Sequence, residues 1–88
     1  RKAAKSILSF LNEKAGRNFE DVQANLDPII SRMKEGYTSA QLHQVIAKKC
    51  REWLPDEKMR QYLRPATLFN RTKFANYAGE LIKQEPKP

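Results

Sequence analysis

Between Tyr62 and Tyr77 the chain reads Tyr-Leu-Arg-Pro-Ala-Thr-Leu-Phe-Asn-Arg-Thr-Lys-Phe-Ala-Asn-Tyr, four aromatic rings interleaved with the three cations Arg64, Arg71 and Lys73. Such a run can bury its rings in a core and hold guanidinium and ammonium groups outward, where an anionic partner meets them. Its chemistry is binding. Arg64 stands out because Pro65 restricts the backbone before it. Its planar fork suits a phosphate or a partner's carboxylate, or equally Glu57, Glu80 or a helix C-terminus of its own chain. Lys48, Lys49 and Arg51, with Arg60, Arg71 and Lys73, read as a diffuse electrostatic patch.

Catalytic constellations are not apparent. His43 is the only histidine, and no CxxC or HExxH spacing occurs, so neither a metal site nor a cofactor is expected. Gly16, Gly36 and Gly79 are isolated and form no phosphate-cradling loop. Ser6, Ser9, Ser31, Ser39 and Cys50 lack a signature pairing them with a base and an orienting group, which disfavours an enzyme. Cys50 fits a small buried hydrophobe better than a reactive thiol. Trp53 could stack on a nucleobase, but it lies seven residues after Ile46 on an apolar stripe, which places it in the core. Tyr62, Phe69, Phe74 and Tyr77 are read the same way.

The chain has 88 residues, 40% of them apolar and 31% charged, which suits one small globular module with a modest core and marginal stability. Seventeen Lys and Arg against ten Asp and Glu give a formal charge of +7, so anionic partners are favoured, although solubility alone can select net charge. From Lys48 to Lys73 there are eight cations and three acids, so most of the excess sits in one third of the chain. A single cysteine excludes an intramolecular disulfide and fits a cytoplasmic location, and no membrane-length apolar run appears. The initial Arg1 suggests a piece of a longer polypeptide or a chain processed at its start.

The elements that must carry these groups are helical. Ala4, Ile7, Leu8 and Leu11 recur at helical spacing, predicting a first helix from about Lys2 to Ala15 with Gly16 as its left-handed cap and Phe19 folding back as an anchor. Asp27 before Pro28 reads as an N-cap and first helical position, with an earlier start near Asp21 as the alternative; Gly36 ends that helix. Thr38-Ser39-Ala40-Gln41 has capping-box spacing and opens a long helix carrying Leu42, Val45, Ile46, Cys50 or Lys49, and Trp53, which Pro55 stops. Asp56 caps a short helix through Met59, Tyr62 and Leu63. Pro65 starts a brief turn through Phe69, and Thr72 to Lys83 forms the last helix. Residues 1–84 thus predict one all-α bundle of four to five helices without a sheet, followed by a disordered tail at 85–88.

The run from Ile7 to Phe19, the segment Arg32-Met33-Lys34-Glu35-Gly36-Tyr37-Thr38, Val45-Ile46 through Trp53, and Tyr62-Leu63-Arg64-Pro65 with Thr67-Leu68-Phe69 follow one another in a familiar order. Together they resemble the conserved C-terminal domain of phage replication proteins of the replisome-organiser, DnaD-like type. Two positions depart from that pattern: Ala15 stands where threonine is usual, and Ala78 follows Tyr77 where leucine is common. The resemblance implies a phage or prophage replication module in a bacterial cytoplasm. Combined with the charge, it gives an expected partner in single- or double-stranded DNA, held by the basic face. The alternatives are a protein-interaction module for a replicative helicase or its loader, which the resemblance implies, and a dimerisation unit using a leftover apolar surface near Leu81 and Ile82.

Overall fold

A computed structural model describes residues 2–81. Five α-helices and one 3-10 turn occupy them: α1 (Lys2–Ala15), α2 (Gln23–Lys34), α3 (Ser39–Trp53), the 3-10 turn Arg60–Tyr62, α4 (Pro65–Leu68) and α5 (Arg71–Gly79), with no strand among the described residues. The expected all-α architecture is therefore the observed one.

Helix α1 buries Ala4, Ile7, Leu8, Leu11 and Ala15, the 3.6-residue stripe read from the sequence. Gly16 ends it at φ 68°, a left-handed conformation that costs a residue with a Cβ about 1–2 kcal/mol. The Arg17 amide then donates back to the Asn12 carbonyl at 2.9 Å. Asn12 also holds the loop that follows: its amide nitrogen donates to the Phe19 carbonyl at 3.0 Å, and its side-chain oxygen accepts from the Phe19 amide at 2.8 Å. Phe19 is half-buried against the core, so it anchors the loop without entering the centre.

Helix α2 starts earlier than the Asp27-Pro28 pair predicts. Its first residue is Gln23, its N-cap is Val22 with no side-chain hydrogen bond, and Pro28 lies inside the helix. The physical reason is packing: Leu26 is buried beside Ile29, and only an added turn before Pro28 brings it to the core face. That gain offsets the amide bond Pro28 cannot make. Gly36, at φ 107°, then turns the chain toward α3.

The start of α3 is as the sequence specifies. The Thr38 hydroxyl accepts from the Gln41 amide at 3.1 Å, and the Gln41 side chain accepts from the Thr38 amide at 2.8 Å. The helix buries Leu42, Val45, Ile46, Lys49, Cys50 and Trp53 and packs on α1. Phe10 and His43 meet edge-to-face at 4.5 Å, while Lys14 lies beside Ala47, Cys50 and Arg51, so the two helices run in the same direction.

Beyond Trp53 the Asp56 carboxylate accepts from the amides of Lys58 and Met59, closing the turn that leads into the 3-10 segment. Arg64 is extended (φ −151°, ψ 157°), as a residue before proline prefers, and Pro65 opens α4. Leu63, Leu68, Phe69 and Phe74 are completely buried, so two of the run's four rings turn inward, while Tyr62 and Tyr77, also expected in the core, stay half-buried. Helix α5 begins one residue before the predicted start, because the Asn70 side chain accepts from the Lys73 amide at 3.0 Å and caps it. It ends at Gly79, short of the predicted Lys83, which like the predicted tail at 85–88 lies outside the described residues. Leu81 is half-buried against the core, while Ile82, the other half of the expected apolar surface, also lies outside them.

Candidate nucleic-acid interface

The seven cations singled out from the sequence separate into three environments. Lys48 and Lys49 sit on the side of α3 that α5 covers. Lys49 is only 5% exposed, because it follows Leu42 by seven residues and therefore stays on the apolar stripe. Its stem passes Trp53 and Tyr77, with the ammonium 5.3 Å and 4.5 Å from the two ring centroids. The nitrogen ends between Glu52 at 3.1 Å and Glu80 at 3.0 Å. Lys48 pairs with the same Glu52 and lies 3.6 Å from Glu80.

Lys49 therefore does not stand in the exposed patch the sequence suggested. It is a buried cation clamped by two carboxylates, and Lys48 is largely spent on the same two acids. Burial opposes the Lys49 charge, but the hydrogen bonds it donates to Glu80 and Glu52 outweigh it and hold the ammonium above its ordinary range. The hydrogen bond from Lys48 is the largest influence on Glu52 and holds its carboxyl below the usual value.

Arg71, at the start of α5, is a second case. It is well exposed and reaches Glu35 at 3.6 Å. Glu35 already accepts from Arg32 at 2.8 Å. Arg32 is a residue the sequence reading did not single out: it is buried, and it donates to the Phe69 carbonyl at 2.9 Å, tying α2 to the end of α4. A hint lay in its phase, three residues after the buried Ile29.

The remaining four, Arg51, Arg60, Arg64 and Lys73, are exposed and have no carboxylate partner among the described residues. Arg64 bridges neither Glu57 nor Glu80. Its Nε donates to the Thr67 hydroxyl at 2.9 Å, and its guanidinium carbon lies 5.1 Å from the Tyr62 ring centroid. Two hollows flank the last turn of α3. One, of about 300 Å³, is lined by Lys14, Ala47, Cys50, Arg51 and Leu54. The other, of about 310 Å³, is a groove lined by Trp53, Met59, Tyr62, Thr67, Lys73 and Tyr77.

Folding also adds cations the sequence could not assign to this end. Lys14 joins Arg51 across the α1–α3 seam, and the Arg17 guanidinium donates to the Arg60 carbonyl at 2.8 Å. That contact spans 43 residues, so no local pattern announces it. Cys50, under this surface, is buried, and burial pushes its thiol upward with only partial relief from Lys14. It stays a protonated, inert thiol at neutral pH. Burial likewise raises the Tyr77 hydroxyl, so the groove's ring remains neutral.

Among the described residues, no group of His, Cys, Asp and Glu could hold a metal ion, and no helix is long and apolar enough to cross a membrane. Neither a curated protein nor a solved structure matches the chain. A family model does: residues 7–79, from the first buried turn of α1 to the last residue of α5, match the conserved phage C-terminus. The matched span contains all but the first turn of α1, the other helices and all seven candidate cations, and the chain belongs to the conserved phage C-terminus family.

Proposed function

We propose that this phage module is a non-enzymatic accessory unit of a replication-initiation protein and holds DNA through its exposed cations. The observation that carries the reading is the set Arg51, Arg60, Arg64 and Lys73, which carries no internal counter-charge among the described residues and is joined by Lys14 and Arg17 around the end of α3. Cations left unpaired in a chain of net charge +7 are free to displace the counterions of a nucleic acid. The attribution to replisome organisers, and with it a helicase or loader as an alternative partner, draws on the sequence resemblance.

Fluorescence anisotropy with labelled single- and double-stranded DNA at several salt concentrations tests the reading. If about five phosphates are contacted, log affinity falls against log salt with a slope of roughly −3.5 for single strands and −4.5 for duplex. Replacing Arg51 and Arg60 together by Gln should shallow the slope by about 1.4–1.8, since each contacted phosphate contributes about 0.7–0.9. A flat salt response, or affinity indifferent to that double change, overturns it.

A further inference from the structure

The groove beside Trp53 has a composition that bulk electrostatics does not require. Tyr62 and Tyr77 are half-buried, Trp53 and Met59 complete an apolar wall, and Lys73 lines the same hollow. Arg64 contacts two lining residues, Tyr62 and Thr67, so its guanidinium stands at the rim. Aromatic walls under two cations without carboxylate partners among the described residues fit a ligand that is flat and apolar in one part and anionic in the next. The volume, about 310 Å³, is at the lower end of small-molecule sites.

We propose that this groove takes an unstacked base of single-stranded DNA, with Arg64 and Lys73 on the adjoining phosphates. The inference rests on the DNA-binding reading above and adds strand selectivity to it. A duplex keeps its bases paired and can engage only the outer cations, whereas a single strand can lay a base against a tyrosine, an attraction every base offers. Tyr62 is the better platform, because the cation on its ring is the exposed Arg64, whereas the Lys49 ammonium 4.5 Å from the Tyr77 ring is buried and held there by Glu52 and Glu80.

Trp53 is the only tryptophan and forms part of the groove wall, so its emission reports the site directly. Titration with an oligothymidylate should quench that emission saturably, while a duplex of equal length binds without comparable quenching. Tyr62→Ala should lower single-strand affinity about tenfold, the loss of one base–ring stack, and change duplex affinity less than twofold. Lys73→Gln, at an exposed position that does not threaten folding, should also weaken the single strand. Single-strand binding with unchanged Trp53 emission and no effect of either substitution overturns the groove while leaving the outer DNA-binding face intact. Displacement of the oligonucleotide by poly-glutamate at equal charge concentration also overturns it, since any polyanion would then suffice. Failure of both DNA forms to bind removes the parent reading and the groove with it.

Discussion

Lys49 shows how one side chain can look like a binding residue and be a structural one. A lysine on an apolar stripe must bury its stem and find partners for its ammonium, and here the partners are Glu52 and Glu80. Charge reversal at this position would therefore test the fold rather than the interface. Lys49→Met keeps the stem's packing and leaves two carboxylates that are 40% and 44% exposed and still beside Lys48, so no charge is stranded in the core and stability at neutral pH should change by less than about 1 kcal/mol. Lys49→Glu buries a third carboxylate beside the other two and should cost about 3 kcal/mol or more. Urea midpoints of the two variants check the contrast; equal losses would mean that the ammonium itself holds the site together.

At the scale of the elements, the same charge cluster fastens α5 to α3. Glu52 has its carboxyl held low, first by the Lys48 hydrogen bond, so the stabilisation it supplies is complete above the ordinary carboxylate value of 4.5 and is lost as pH falls through the lower folded-state value. Lys49, raised above 10.5, supplies stabilisation that is complete below that value and is lost as pH rises through the higher folded-state value. Amide exchange in α5 should consequently accelerate, relative to α1, below about pH 4.5, and Glu52→Gln should remove most of that acid sensitivity. How far the elements were legible follows from where their signals lie. The start of α3 is written in four consecutive residues, Thr38 to Gln41, and needs no tertiary partner. The start of α2 is written twice, in the Asp27-Pro28 pair and in the alternative start near Asp21, and the burial of Leu26 in the packed core selects the earlier one. The cap of α5, Asn70, precedes the apolar repeat from which the Thr72 start was read, so the periodicity alone places the helix one residue late.

For the whole molecule, the sequence foretold an excess of positive charge but not its distribution, since contacts such as Glu80 with Lys49 and Arg17 with Arg60 join residues 31 and 43 positions apart. What survives internal pairing decides how the domain responds to a polyanion. An 88-residue chain with a stability of order 5–10 kcal/mol is sensitive to linkage. Single-stranded DNA at one hundred times Kd should add about 2.7 kcal/mol, and at about 4–8 °C per kcal/mol for a domain of this size the unfolding midpoint should rise by roughly 10–20 °C. Quadrupling the salt at a slope near −3.5 weakens binding about a hundredfold and should erase nearly the whole rise. Without DNA the same salt acts in the opposite sense, screening the self-repulsion of the +7 chain and leaving the midpoint level or slightly higher. Thermal scans with and without oligonucleotide at two salt concentrations therefore separate binding from bulk screening by sign. A midpoint that DNA leaves unmoved at low salt would mean that the exposed cations maintain solubility and do not grip nucleic acid.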